Sequence, residues 1–381
     1  MRTIKFNEPF IAGKELDYIK DVFDIKQFCG NGKYTNKCQE FIAARLNASK
    51  VLLTDSCTSA LEISALLLKE EKYQEVILPS YTFSSTAASF ARAGFKIRFA
   101  EINPMDMMLD VNDVSRKITE NTCAVVAVHY GGYCADIIKL KNVCEKNKIY
   151  LVEDAAQAFD CFLEEKALGT FGHLGCFSFH ETKNIHAGLS GALLVNDDRF
   201  SERAIHIWER GTNRQEVLKG LVDKYSWVEI GGSFYPSELQ AAFLYAQLEA
   251  LDRNYQERKA VYDAYRHGLT ELREHGQLYF PDFTVNFKSN YHAFFVNFNN
   301  EQECDTVREF LKENQVMAYI GYVPLHSSRV GQKMGYHEDD LPLTEEYSKR
   351  VLRLPFHNNL AIKDVEYICT LIKTCLEGKQ I

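Results

Sequence analysis

The run "SFHETKNIHAG", residues 178–188, gathers a serine, two histidines, a glutamate and a lysine in a stretch with neither helix nor strand periodicity. His180, Glu181, Thr182 and Lys183 begin like the zinc pattern H-E-x-x-H, whose two histidines share a helix face. The fifth letter is Asn184, so the pattern fails and no metal is expected. The alternative is covalent chemistry at an amine. A lysine taken alone is usually a solvated surface charge, so Lys183 counts only with its upstream neighbours.

In "KIYLVEDAAQAF" a buried-type strand ends in Glu153 and Asp154, followed by Gln157. Two carboxylates there fit a helix N-cap with its first-turn acid. They fit equally an Asp154 that faces a protonated ring nitrogen, the partner pyridoxal phosphate needs to draw electrons from a substrate carbanion. In "VLLTDSCTSALEI" a strand runs into Ser56, Cys57, Thr58 and Ser59 and then an apolar helix. Backbone N–H groups at such a helix start, with hydroxyls among them, suit a phosphate; capping alone would use one Ser or Thr. "LPSYTFSST" brings Tyr81 and Phe83 to another strand end, where Phe83 is either core or a ring that stacks on a flat cofactor. An amine that follows a strand-end Asp and a phosphate site suits a Schiff-base lysine.

These residues need a frame that brings strand ends together. "KVLLT", "EVILP", "KIRFA", "CAVVAVHY" and "KIYLVED" alternate with helical segments such as "SALEISALLL", "STAASFARAG" and "DIIKLKNVCEKN". That alternation predicts βα units and a largely parallel sheet covered on both faces, with ligands at the carboxyl ends of the strands. Before it, "GKELDYIKDVFDIKQF" spaces Leu16, Ile19, Val22 and Phe23 as a helix, and "CGNGKYT" reads as a tight, exposed turn. From about residue 200 the pattern becomes helical, and "PSELQAAFLYAQLEALDRNYQERKAVYDAYRHGL" predicts one long helix joining two bodies. Shorter strands, "YHAFFVNF" and "VMAYIGYV", then alternate with helices. The expectation is an α/β chain with a large domain over 1–250 and a smaller α+β domain over 251–381.

A chain of 381 residues suits two closely packed domains. The formal charge of −8 disfavours nucleic acid and anionic membranes. Eleven cysteines without a C-x-x-C pair suggest reduced thiols. No apolar run reaches the roughly 18 residues of a membrane span, and "MRTIKFNEPF" has no signal-peptide h-region. A cytoplasmic location is expected.

Taken in order, "CGNGKYTNKCQEF", "SCTSALE", "LPSYTFSSTA", "VEDAAQA", "GCFSFHETKN", "ELQAA" and "VPLH" resemble the DegT/DnrJ/EryC1/StrS sugar aminotransferases across essentially the whole chain. The resemblance implies the aspartate aminotransferase type I fold, with pyridoxal 5'-phosphate as cofactor and its pyridoxamine form as intermediate. It implies Lys183 as the Schiff-base lysine, Asp154 at the pyridine nitrogen and Gln157 near the phenolic oxygen. Thr58, Ser59 and Ser178 would serve the phosphate, Phe83 would stack on the ring, and Ser233 would stand where a neighbouring subunit reaches the cofactor. Arg214, Lys219 and Lys224, in "GTNRQEVLKGLVDKYSW", are candidates for the sugar nucleotide's diphosphate or plain surface charges, and Tyr322 and His326 of "GYVPLH" are candidate substrate contacts. "HETKN", "GTNR", "VDKYSW" and "VPLH" resemble the branch that aminates C4 of TDP-4-keto-6-deoxy-D-glucose to TDP-4-amino-4,6-dideoxy-D-galactose for enterobacterial common antigen and related lipopolysaccharide or O-antigen chains. That implies L-glutamate as donor and a homodimer with shared active sites.

Two departures stand out. The asparagine and arginine that many members carry before E-x-Q-A-A are Ser233 and Tyr235, and the glycine-rich turn after the lysine is Gly188-Leu189-Ser190-Gly191. Three rivals share the fold. A sugar dehydratase would carry histidine in place of Lys183, and a noncatalytic regulator would be expected to lack Lys183 or Asp154. A 3-keto or gluco-forming aminotransferase differs only in pocket shape.

Overall fold

The computed structural model describes residues 3–69 and 74–378, so the last three positions of the expected second domain lie outside the described residues. Seven strands form the main sheet: β1 (Val51–Thr54), β2 (Glu75–Pro79), β3 (Lys96–Ala100), β4 (Thr122–Val128), β5 (Tyr150–Asp154), β6 (Leu174–Ser178) and β7 (Gly191–Val195). Their spatial order is β1-β7-β6-β5-β4-β2-β3. The block from β6 to β3 is parallel, and β7 runs antiparallel to both β6 and β1. Nearly every residue of these strands is buried, as expected where helices cover both faces. Two apolar layers result, one on each face, the first around Leu53, Ile77, Val125 and Phe177 and the second around Leu52, Val76, Val126 and Cys176.

The fold is therefore α/β with the largely parallel, helix-covered sheet anticipated from the strand–helix alternation, and it is the aspartate aminotransferase type I architecture that the family resemblance implied. Strand β7 was not anticipated: its "GALLV" is short and follows the irregular lysine stretch directly, with no helix between.

The amino-terminal helices α1 (Glu15–Ile25) and α2 (Lys33–Leu46) precede the sheet. Val22 is buried, but Leu16 and Phe23 of the same predicted stripe are exposed. The turn between these helices corrects the expected exposed one, because Gly30, Gly32 and Tyr34 are buried. The reason is a carboxylate. Glu238 accepts hydrogen bonds from the N–H groups of Gly32, Tyr34 and Thr35 at 2.9, 2.7 and 3.2 Å and from the Thr35 hydroxyl. It satisfies the free donors and the positive end of α2 from another helix.

The single connecting helix is likewise corrected to two, α7 (Glu238–Glu249) and α8 (Leu251–Glu274), broken at Ala250. The first packs on α1 and α2, while the second packs on the carboxy-terminal helix α10 (Ile362–Leu376). The chain changes packing partners at Ala250. Residues 209–237 are mostly turns, with only Arg214–Leu218 helical, rather than the continuous helical region expected. Beyond α8, four short strands form a second sheet: β8 (Leu278–Tyr279), β9 (Phe295–Phe298), β10 (Tyr319–Ile320) and β11 (Val351–Arg353), in the order β8-β9-β11-β10, all antiparallel. No helix among the described residues is long and apolar enough to cross a membrane.

Candidate active site

The carboxyl ends of β1, β2, β5 and β6 converge on a cavity of about 390 Å³. Its lining includes Thr58, Phe83, Asp154, Gln157, Ser178, Lys183 and Tyr322. Thus residues that are far apart in the chain, and that sequence reading connected only through chemistry, share one space.

On one side the helix α3 (Cys57–Leu68) begins at Ser56, whose hydroxyl accepts the Ser59 N–H at 3.1 Å. The Ser59 hydroxyl turns to Asp55, and the Thr58 hydroxyl donates to Ser85 at 2.8 Å. The hydroxyls are thus held in place by one another around an amino-terminal helix end, an arrangement suited to an anion. Gly191 makes this possible. A Cβ there would stand 2.5 Å from the Cys57 nitrogen and 2.5 Å from the Ser56 carbonyl carbon, so only glycine lets β7 pass the helix start.

Across the cavity, strand alternation separates the two carboxylates that end β5. Glu153 turns away and accepts from the N–H groups of Gly169, Phe171 and Gly172 at 2.7, 2.7 and 2.6 Å. It also meets His129 Nε2 at 3.0 Å, and because Nδ1 of that ring accepts the Ala135 N–H, the proton sits on Nε2 and is donated to Glu153. Asp154 faces the cavity. Its Oδ2 accepts the Thr86 hydroxyl at 2.7 Å and Oδ1 the Ala156 N–H at 3.2 Å. No helix follows, so the capping alternative for this pair is set aside. Burial pushes the Asp154 carboxyl above its usual range, against the opposing pull of those hydrogen bonds and of Lys183. A cation beside it would relieve that cost.

Lys183 lies in the loop between β6 and β7, and the backbone bonds of Phe179 and Ala187 close this loop on itself. Asn184 anchors it, giving its amide hydrogens to the Asn290 carbonyl at 2.6 Å and accepting from His292 Nδ1 at 2.8 Å. His186 is part of the anchor as well, since its Nε2 donates to the Phe10 carbonyl at 2.8 Å. The Lys183 amine itself has no hydrogen-bonding or ion-pair partner among the described residues. Burial brings its pKa down from 10.5 to about 8, helped by the charge of Arg353 and opposed by Cys57 and Asp154. An amine held near neutrality and free of partners can act as a nucleophile and then as a base.

Gln157 completes the floor, accepting the Gly131 N–H at 2.7 Å and donating to the Tyr322 hydroxyl at 2.8 Å. Phe83 is 60 % exposed, its ring 6.4 Å from that of Tyr322. These groups fit pyridoxal phosphate. Hydroxyls at a helix start suit its phosphate, a buried carboxylate awaits a cation, and an unpartnered amine lies in the same cavity.

Six expected residues are not part of this lining, the first being Ser59, whose hydroxyl is held by Asp55 and Ser56. Ser233 is exposed and bridges Glu209, away from the lining. Tyr235 beside it is buried against Trp208. Arg214 faces Glu209 at 3.5 Å, and Lys219 and Lys224 are on the exposed segment after it. His326 is fully buried, its Nδ1 2.7 Å from the Ser80 hydroxyl and its Nε2 3.3 Å from the Glu338 carbonyl, and it is not part of the cavity lining. Conversely His129, His292, Thr86 and Arg353 line the cavity unannounced. Thr86 stands in the helical segment "STAASFARAG" and the other three in "VHY", "NYHAF" and "VLRLPF", and only the fold turns them inward.

Residues 9–373 match the DegT/DnrJ/EryC1/StrS aminotransferase family. The chain belongs to this family. It is an enzyme, a sugar aminotransferase, and the family indicates pyridoxal phosphate as its cofactor. GDP-perosamine synthase from Vibrio cholerae is 28 % identical over 374 residues, 96 % of this chain and 97 % of that one. A dTDP-4-dehydro-2,3,6-trideoxy-D-glucose 4-aminotransferase from Saccharopolyspora spinosa is 26 % identical over 98 % of this chain and 97 % of its own. Among solved structures, the aminotransferase TlmJ from Streptoalloteichus hindustanus superposes with a TM-score of 0.90 at 26 % identity, covering 99 % of this chain and all of that one.

Proposed function

We propose that the enzyme moves an amino group from L-glutamate to C4 of TDP-4-keto-6-deoxy-D-glucose, giving TDP-4-amino-4,6-dideoxy-D-galactose for enterobacterial common antigen or related surface polysaccharides. The observation that carries the chemistry is the unpartnered Lys183 amine in one cavity with the buried Asp154 carboxylate. The sugar is supported by "HETKN", "GTNR", "VDKYSW" and "VPLH" and by the 4-aminotransferase relative above.

When bound, pyridoxal phosphate supplies an electron sink that acidifies the donor's α-carbon. Asp154 would keep the ring nitrogen protonated, and Thr86 and the Ala156 N–H hold that carboxylate in place. Thr58, Ser59 and Ser178 would bind the phosphate at the start of α3, Gln157 would orient the ring from its phenolic side, and Phe83 would cover its face. The Lys183 Nζ would hold the cofactor, be released by the incoming amine, and carry the proton from the donor carbon. In the second half-reaction the same nitrogen returns a proton to the sugar carbon.

A cytoplasmic homodimer completes the reading. The eleven cysteines are all free thiols, and a second copy would bring its segment around Ser233, with Arg214, Lys219 and Lys224, to the cofactor and the diphosphate. Tyr322 and His326 would serve the substrate, the second by supporting the loop that carries the first. The division into domains at 250/251 is part of the same proposal and follows the break between α7 and α8.

The test is to incubate the protein with pyridoxal phosphate, L-glutamate and TDP-4-keto-6-deoxyglucose and to identify the sugar by mass and NMR. An axial 4-amino product, abolished by Lys183→Ala, is expected. An equatorial amine, or turnover of the 3-keto isomer alone, would replace the sugar assignment and leave the chemistry.

A further inference from the structure

Arg353 closes β11 in the second sheet and sends its guanidinium into the cavity. Its Nε is buried with no hydrogen-bond partner, and the side chain makes no ion pair or hydrogen bond among the described residues. The Phe6 ring lies 5.2 Å from its Cζ and is itself braced edge-on by Tyr319 at 5.0 Å. Arg258 shows what a structural arginine does in the same region. It is also buried, and it gives its hydrogens to the carbonyls of Tyr291 and His292 and to Asn358. Arg353 has no such outlet, although a guanidinium offers five donors in a fixed fork.

The charges around the cavity make the same point. Asp154 is the single acid in the lining, facing two cations, Lys183 and Arg353. The hydroxyls at the start of α3 already provide for a phosphate from the first sheet, whereas Arg353 enters from the second. Its charge is felt at Lys183, at Tyr322 and at His292, so it stands on the amine's side of the cavity.

We propose that Arg353 receives the carboxylate on the carbon next to the donor's amino group. Any α-amino acid whose nitrogen takes the place of Lys183 Nζ must carry a carboxylate one carbon beyond that nitrogen. A cation that faces Lys183 and lacks a partner meets this need, and a planar fork accepts a carboxylate through two parallel hydrogen bonds. The C4 ketone of a hexose has neutral carbons and hydroxyls at that place, which gives the guanidinium no anion. Phe6 keeps the fork from swinging away by holding its flat face. The assignment rests on the aminotransferase reaction and not on which sugar is the acceptor.

The experiment compares the holoenzyme with its Arg353→Leu and Arg353→Lys variants after cofactor absorbance and melting temperature have shown that each is loaded and folded. Calorimetry with glutarate, a dicarboxylate that cannot react, is expected to show a Kd raised by about 10–100-fold in Arg353→Leu, the range for losing a charge-assisted hydrogen bond, with partial recovery in Arg353→Lys. Single-turnover absorbance then compares L-glutamate with 4-aminobutanoate, which lacks the carboxylate next to its amine. The preference for glutamate should fall by a similar factor, while the sugar-nucleotide concentration that half-saturates the second half-reaction of the aminated holoenzyme stays within about twofold. An unchanged glutarate Kd and an unchanged preference would overturn the assignment. So would a defect confined to the sugar half-reaction, which would give Arg353 to an anionic group of the sugar nucleotide. If the donor half-reaction runs and TDP-4-keto-6-deoxyglucose is not aminated, the sugar assignment fails and this one stands.

Discussion

The pKa of Lys183 is the most direct handle on this site. At about 8, against 10.5 for an unperturbed lysine, about one-tenth of the amine is neutral at pH 7 instead of about 0.03 %, a gain of about 300-fold in nucleophile. Uptake of pyridoxal phosphate by the apo-protein, followed by absorbance in stopped flow from pH 6 to 10.5, should therefore rise with a midpoint near 8. Two variants should move that midpoint in opposite directions, because the two charges act in opposite senses. Arg353→Leu removes a cation that disfavours the ammonium and should raise it. Asp154→Asn removes an anion that favours the ammonium and should lower it. Stability supplies a second readout. Between pH 8 and 10.5 the folded apo-protein holds this amine neutral while the unfolded chain keeps it charged. The unfolded state binds more protons, and the Lys183 contribution makes stability rise with pH through that window. Lys183→Met should lack that slope. A midpoint near 10, or a downward shift in Arg353→Leu, would refute the picture of a buried, unpartnered amine beside that guanidinium.

Two further outcomes concern the frame. Gly191→Ala places a methyl against the Ser56–Cys57 backbone and should destabilise the protein by about 1–3 kcal/mol; thermal melting reads that cost, and a weakened cofactor Kd should accompany it because the helix start is displaced. Glu238→Gln leaves one acceptor where two oxygens now serve four donors around Gly32 to Thr35, so a loss of about 1–3 kcal/mol is expected in the same assay, with unchanged pH dependence of cofactor uptake.

The local chemistry and the repeating pattern are legible in the order of the residues alone. Apolar runs of strand length alternating with helical ones can bury themselves only as a covered parallel sheet, and that placed Ser56–Ser59, Asp154 and the stretch around Lys183 at strand ends. Hydroxyls before an apolar helix, an acid after a buried strand and a lysine in an irregular loop are recognisable because each departs from what packing alone would select. Tertiary structure decided everything that depends on which strand lies beside which. Glu153 and Asp154 are neighbours in the chain, yet the two-residue period of β5 sends one to three backbone N–H groups and His129 and the other to the cavity. Glu238 looked like part of a helix motif, and only the meeting of α7 with α2 made it the cap of a distant helix. Arg353 sits in "VLRLPF" among residues that spell a buried strand, and no local pattern marks it. A charged side chain acquires its role from what surrounds it, and here that is a cavity lined from two sheets, the first ending at Val195 and the second beginning at Leu278.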